Sequence, residues 1–204
     1  MHISEGVLSA PVLVTGAALT AGGCSIGLKK LDYDRIPQVA ILTSAFFVAS
    51  LIHVPIGPSS VHLVLNGLMG LLLGWPAFPA ILIALFLQAL LFQFGGITSL
   101  GVNTFNMALP AIFCFYLFGY AVKGRNNLIS MGSAFACGFL GILMASFMVA
   151  ISLVFTGDPF WGIAKVVVIA HLPIMVIEGL ITLFSAGFLR KLKPELLEVA
   201  HAKR

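Results

Sequence analysis

The chain has 204 residues and a formal net charge of +4, and 60% of its residues are hydrophobic whereas only 9% are charged. A soluble domain carries about 25% charged residues, so this composition excludes a soluble protein and predicts an integral membrane protein. We expect a single membrane domain over 1–204, made of an N-terminal segment (1–9), a helical region (10–189) and a cytoplasmic tail (190–204).

Charged and turn-forming residues divide the chain into apolar stretches, and a helix needs about 20 such residues to cross a bilayer. The predicted helices are Ala10–Leu28, Ile36–Val54, Ser60–Gly74, Phe78–Phe94, Thr104–Val122, Leu128–Phe155 and Phe160–Leu189. The third of these is the shortest. The sequence therefore predicts an all-α membrane protein with seven transmembrane helices.

The lysines and arginines indicate the orientation of these helices. If the N-terminus lies outside, ten of the eleven basic residues fall on the cytoplasmic side, and only Lys165 does not. The ten are Lys29, Lys30, Arg35, Lys123, Arg125, Arg190, Lys191, Lys193, Lys203 and Arg204. The positive-inside rule then predicts an outside N-terminus and a cytoplasmic C-terminus. The net charge reflects this topology and does not indicate a nucleic-acid partner.

Polar side chains gather at the predicted outer face of the membrane. They are His2, Glu5, His53, His62, Asn103 and Asn106. No basic region and no cleavage-site pattern of a signal peptide accompanies the first residues, so we expect Met1 to begin the mature chain. Several of these groups bind first-row transition metals, which makes the outer face the candidate functional site.

The Met1–His2 pair offers a metal three nitrogens in one plane. The Met1 amine and the His2 amide nitrogen close one chelate ring, and Nδ1 of His2 closes a second. A planar site needs a fourth nitrogen, and His62 is the best candidate to supply it. A planar nitrogen set suits Ni²⁺ or Cu²⁺ and is open to Co²⁺, whereas Zn²⁺ prefers a tetrahedron. The alternatives are a solvated terminal histidine and a His62 that only caps or anchors a helix.

Three stretches carry a resemblance to a known family: MHISEG at the start, SSVHLVLNGLMGLLLG from Ser59, and LLFQFGGITSLGVNTFNM from Leu90. With HLPIMVIEGLIT from His171, they resemble the substrate-binding subunits of the energy-coupling-factor transporters for nickel and cobalt, the CbiM/NikM family. The resemblance covers nearly the whole chain. At His171 the chain departs from those members that have glutamine there.

This resemblance implies seven membrane helices in a prokaryotic cell membrane, with the N-terminus folded back into the protein. It also implies that Met1, His2 and His62 hold the metal. The partners implied are a transmembrane coupling subunit, ATP-binding cassette ATPases and a small additional membrane subunit. Glu5, His53, Asn103 and Asn106 are the candidates for supporting the ligands.

Small residues line the first predicted helix at helical spacing. Ala17 and Ala21 are four residues apart, as are Ala18 and Gly22, and such residues let helices approach closely. They pack either inside the protein or against a partner subunit. The family resemblance implies that they dock another membrane subunit. The chain has no GxxxxGK[ST] loop, so we expect no ATPase activity of its own.

His171 and Glu178 lie seven residues apart on one face of the last predicted helix. Ionisable groups within a membrane indicate a functional site, yet we favour a structural role in holding the bundle together. Gln88 and Gln93 are also interpreted as contacts between helices. Cys24, Cys114 and Cys137 show no metal-binding spacing, and we interpret them as packing residues.

The sequence thus predicts the binding subunit of an uptake transporter for Ni²⁺, with Co²⁺ as the alternative. Two other classes are weighed against it. An intramembrane serine protease would need Ser133 and His171 as a dyad, but the sequence lacks a GxSG motif. A self-sufficient secondary carrier would show an internal repeat, and none is found.

Overall fold

The structure, a computed structural model, describes residues 1–197, so His201, Lys203 and Arg204 of the predicted tail lie outside the described residues. The helices are α1 (Ala10–Lys29), α2 (Ile36–Ala49), α3 (Asn66–Leu73), α4 (Ala77–Phe92), α5 (Leu100–Lys123), α6 (Asn127–Val154), α7 (Trp161–Ala170) and α8 (Leu172–Leu192). Two strands, β1 (His53–Ile56) and β2 (Ser59–His62), lie between α2 and α3.

Four segments of the described chain are long and apolar enough to cross a membrane. They are α1, α5, α6 and the continuous segment Asp158–Leu192, which contains α7 and α8. The protein is therefore a mostly helical, multi-pass membrane protein. The count of seven spanning helices and the side on which each terminus lies remain predictions.

The second predicted helix was expected to reach Val54 but ends at Ala49. A hairpin follows, in which His53 pairs with His62 and Ile56 pairs with Ser59. Gly57 supplies a φ of +55° at the turn between the strands. This left-handed conformation suits glycine, and the prolines that flank the turn oppose a helix.

The third predicted helix was also wrong in its first part, because Ser59–His62 is a strand. Only Asn66–Leu73 is helical, and all eight residues of this helix are buried. The helix packs against α5, α6 and α8. Glycine permits this approach, since a Cβ at Gly67 would lie only 2.8 Å from the carbonyl oxygen of Cys137.

The seventh predicted helix is interrupted at His171, where α7 ends and α8 begins. Pro173 stands in the first turn of α8 and has no N–H to continue the hydrogen bonds of α7. The interruption places the buried His171 ring at the junction of two helices.

Helix α5 is at the centre of the bundle, with α1, α3, α4 and α6 packed around it. Its first turn carries Asn103. At its other end, the carbonyls of Val122 and of Gly124, just after the helix, accept hydrogen bonds from Arg190 at 3.1 and 3.0 Å. A helix of this length spans roughly 36 Å. The polar site described below and the basic end of the molecule therefore lie at opposite ends of α5.

Candidate metal site

The N-terminal segment folds back into the protein at the start of α5. Met1 and Ile3 are completely buried and His2 is 5% exposed. The Asn103 side chain accepts a hydrogen bond from the Ile3 N–H at 2.8 Å and donates one to the Ile3 carbonyl at 3.0 Å. Ser99 donates a further bond to the same carbonyl at 2.9 Å. These side-chain bonds to the main chain of Ile3 fix the position of the first three residues.

The loop between α4 and α5 is shaped to receive this segment. Gly95 and Gly96 have φ angles of +78° and +134°. A Cβ at Gly95 would lie 3.0 Å from the Asn103 side-chain nitrogen and 3.5 Å from Cβ of His2. Both glycines are thus favoured by the backbone conformation, and Gly95 also by the close approach of the Asn103 side chain.

A chain of hydrogen bonds sets the tautomer of His2. Gln88 donates from Nε2 to the Phe47 carbonyl at 3.2 Å and to the Ser50 hydroxyl, so its Oε1 is the atom that faces His2. Nε2 of His2 lies 2.8 Å from this oxygen and must donate to it. The lone pair of the ring is therefore on Nδ1, the atom that the terminal chelate requires.

In His62 the unprotonated ring nitrogen is Nε2, whereas in His2 it is Nδ1. Nδ1 of His62 lies 2.7 Å from the Leu63 carbonyl oxygen and donates to it, which leaves the lone pair on Nε2. That atom is buried and has no hydrogen-bond partner within residues 1–197. The rings of His2 and His62 are neighbours, with centroids 4.6 Å apart. Two imidazoles with free lone pairs thus meet beside the buried N-terminus.

Burial also disfavours the protonated forms of these groups. It lowers the pKa of the Met1 amine well below its usual value near 8.0. Burial, reinforced by the charge of the amine, lowers the pKa of His2 to about 3. The same two causes lower the pKa of His62 well below 6.5. Burial thus favours the neutral form of all three groups, which is the form that can donate a lone pair to a metal.

Side chains alone do not complete a metal site here. Within residues 1–197, no three His, Cys, Asp or Glu side chains lie close enough together to hold an ion. The further donors that the sequence predicts for an ion at His2 and His62 are main-chain nitrogens of the first two residues, and this donor set remains a prediction.

His53 and Glu5 lie at the edge of the site. The His53 ring contacts Phe94 with centroids 4.0 Å apart, and together with His2 it lines a cleft of about 150 Å³. Glu5 is exposed and accepts a long hydrogen bond, 3.4 Å, from the Thr98 N–H. His53 thus lies on the approach to His2, and Glu5 fastens the segment to the loop before α5.

Asn106 does not support the N-terminal segment, contrary to the expectation that grouped it with Asn103. Its side chain donates to the Ser152 hydroxyl of α6 at 3.0 Å. The reason is geometric: three residues turn a helix by about 300°, so the two asparagines point in sufficiently different directions to meet different neighbours.

Residues outside the predicted set also shape the site. Gln88 was interpreted only as a contact between helices, and Ser99 was expected to help hold the N-terminal segment only as part of the loop GGITSLGVN (95–103), without being singled out. Oε1 of Glu178 accepts hydrogen bonds from the N–H groups of Val64 and Leu65 at 2.5 and 2.8 Å. Leu65 has a φ of +55°, so this carboxyl group holds an unusual turn directly after His62. The structural role favoured for Glu178 agrees with these contacts.

The small residues of α1 fall into two sets. Gly16, Gly23 and Gly27 are buried against α4 and α5. The residues predicted to dock a partner, Ala17, Ala18, Ala21 and Gly22, are exposed, and a Cβ at Gly22 would meet nothing within 4 Å. Ala17 also touches Gly101 of α5, so the open part of this face consists of the other three.

The protease dyad is not formed. Nδ1 of His171 donates to the Val167 carbonyl at 2.7 Å, and its Nε2 has no hydrogen-bond partner in the described part of the chain, Ser133 included.

These features define a multi-pass helical membrane protein with histidines gathered around a buried N-terminus. The sequence profile described as "Cobalt uptake substrate-specific transmembrane region" matches residues 2–196. The chain therefore belongs to the CbiM/NikM family of substrate-specific components in cobalt and nickel transport.

Individual relatives agree with this assignment. The chain is 40% identical to a putative metal transport protein of Haemophilus influenzae over 97% of both chains. It is 32% identical to the cobalt transport protein CbiM of Kyrpidia tusciae, covering 98% of this chain and 87% of the relative. The fused nickel transport protein NikMN of Rhodobacter capsulatus is 30% identical over 97% of this chain, which spans 64% of that protein.

The fold is also similar to a solved one. The crystal structure of a transition metal transporter superposes with a TM-score of 0.79, covering 100% of both chains at 28% identity.

Proposed function

We propose that this chain is the substrate-binding subunit of an energy-coupling-factor uptake transporter for Ni²⁺ in a prokaryotic cell membrane. The metal is held by the Met1 amine, the amide nitrogen and Nδ1 of His2, and Nε2 of His62. Co²⁺ is the alternative substrate, because the same nitrogen donors bind both ions.

The observation that carries this proposal is the pair of opposite tautomers beside the buried amine. Gln88 fixes the proton of His2 on Nε2, and the Leu63 carbonyl fixes that of His62 on Nδ1. The lone pairs are thereby left on the two nitrogens that a planar chelate starting at Met1 uses. Partners that fix ring tautomers in this way are typical of metal-binding histidines.

Nickel is preferred over zinc by the geometry of these donors. Amine, amide and Nδ1 of one terminal dipeptide lie in a plane, and Nε2 of His62 supplies the fourth corner. A planar nitrogen set is favoured by Ni²⁺, whereas Zn²⁺ favours a tetrahedron. Acidic side chains, which suit harder cations, are missing from this set.

The energy for transport is proposed to come from other subunits. The chain carries no P-loop motif, so ATP is hydrolysed by separate cassette ATPases that act through a transmembrane coupling subunit. The exposed small residues Ala18, Ala21 and Gly22 of α1 form the surface on which that membrane partner docks. A small additional membrane subunit completes the proposed assembly.

The proposal is tested at the N-terminus. An extension before Met1 converts its amine into an amide and moves the chelate away from the chain end. We expect such an extension to abolish high-affinity Ni²⁺ binding, measured by calorimetric titration of the purified protein, and its scarless removal to restore binding. A C-terminal tag of the same length is the control and should leave binding unchanged. Equal Ni²⁺ affinity for the extended and native proteins would refute the terminal chelate.

A further inference from the structure

His171 has a free lone pair that the proposed ligand set does not use. Its ring is completely buried where α7 meets α8. Because Nδ1 donates to the Val167 carbonyl, the lone pair is on Nε2, and this atom has no hydrogen-bond partner within residues 1–197. A buried acceptor that is left unpaired is rare and calls for an explanation.

The Met1 amine is the complementary group. It is completely buried, and the structure records no hydrogen bond from it to any residue of the described chain. Helix α7 packs against β2, the strand that carries His62. Glu178, two turns beyond His171 on α8, accepts hydrogen bonds from the Val64 and Leu65 N–H groups just after His62. These contacts bring the junction of α7 and α8 to the site at the N-terminus.

An amine that binds a metal uses its one lone pair for the bond and keeps two N–H groups. In a buried site these N–H groups need an acceptor. We propose that Nε2 of His171 accepts a hydrogen bond from the metal-bound Met1 amine, directly or through one water, and so orients the amine as a ligand. His171 is thus a positioning residue rather than a ligand, in keeping with the lack of a cluster of three metal-binding side chains in residues 1–197.

This inference rests on the proposed function, since it assigns His171 a role toward the amine of the terminal chelate. The test uses the full-length protein with a native N-terminus. His171→Leu removes the acceptor, whereas His171→Gln replaces it by an amide oxygen. Val167→Ala is the control, because it removes buried carbon near the ring but leaves the carbonyl and both ring nitrogens in place. Ni²⁺ affinity is measured by titration, and the ligands are identified by X-ray absorption at the nickel edge.

We expect His171→Leu to weaken Ni²⁺ binding by about 10- to 100-fold, the usual effect of removing a group that orients a metal ligand. His171→Gln should recover most of the affinity, and Val167→Ala should bind like the native protein. The native complex should show two imidazoles at the metal. In a chain extended before Met1, His171→Leu should have no further effect on the residual binding, because the amine is already absent.

Three results would overturn the role of His171. Equal losses in the Leu and Gln variants would show that the imidazole is needed for packing. Unchanged affinity in the Leu variant would show that no acceptor is needed. Three imidazoles in the native complex, which needs no variant, would make His171 a ligand. A native protein that binds no Ni²⁺ or Co²⁺ would instead contradict the proposed function itself.

Discussion

At the scale of single residues, the site is defined by which nitrogen of each ring carries a proton. The Gln88 amide and the Leu63 carbonyl are uncharged, and each still determines one tautomer. The sequence predicts the histidines as ligands because the Met1–His2 pair has a recognisable chelate geometry. It does not identify Gln88 as the partner of His2, because 86 residues separate them and only the fold brings them together.

The first residue-scale prediction concerns His62. If its Nε2 is the fourth donor, His62→Ala should reduce Ni²⁺ affinity by more than the 10- to 100-fold that is typical of residues that only support a ligand. His201→Ala, in the tail beyond the described residues, is the control and should leave affinity unchanged. Calorimetric titration of the two variants measures both effects. Small and equal losses would remove His62 from the ligand set.

The second concerns pH. Because burial lowers the pKa values of the Met1 amine, His2 and His62, protons compete with the metal for these nitrogens less than they do at an exposed Met-His terminus. The His2 amide must still lose its proton, so Ni²⁺ affinity should rise with pH. Between roughly pH 6 and 8 the rise should be less steep for the protein than for a free Met-His peptide. Titrations in buffers of different ionisation enthalpy count the protons, and equal proton release from the protein and the peptide would contradict this prediction.

At the scale of secondary-structure elements, the hairpin and the glycine loop bring the site together. The β1–β2 pair carries His62, and the loop at Gly95 and Gly96 receives the N-terminal segment. Helices α1, α4, α5 and α6 could be predicted because their apolar runs end at charged or turn-forming residues. The hairpin could not be found in this way, since Leu51–Val54 continues the apolar run of α2 and resembles its last turn.

The element-scale prediction is that Gly95→Ala loosens the N-terminal segment. Alanine at a φ of +78° costs about 1–2 kcal/mol, and its Cβ would press on the Asn103 side chain, which holds Ile3. We expect weaker Ni²⁺ binding and a lower midpoint of thermal unfolding in detergent. Gly132→Ala on α6 is the matched control, because a Cβ there meets nothing within 4 Å. The role assigned to the loop would be wrong if both variants behaved alike.

At the scale of the whole molecule, α1 divides its small residues between two surfaces. The buried glycines let α4 and α5 approach, and Ala18, Ala21 and Gly22 remain exposed. The sequence alone could not decide between internal packing and docking, because both use the same spacing. The structure separates the two sets by exposure.

The corresponding prediction is that Ala21→Leu blocks assembly with the membrane partner. A bulky side chain on this face keeps the partner helix at a distance, whereas the metal site lies elsewhere and should bind Ni²⁺ normally. Co-purification of the subunits and metal titration measure the two effects separately. Ala40→Leu, at another exposed alanine on α2, is the control and should assemble. Loss of both assembly and metal binding would mean that Ala21 is needed for the fold.

The burial of Met1 also sets an order of events during synthesis. The N-terminal segment contacts parts of the chain that are made much later, since Ile3 binds Asn103 across a separation of 100 residues. The N-terminal segment must therefore wait beside the growing bundle until about half of the polypeptide has been inserted. Under the proposed chelate, the formyl group of the initiator methionine has to be removed during this interval, because afterwards the amine is enclosed and no deformylase could reach it.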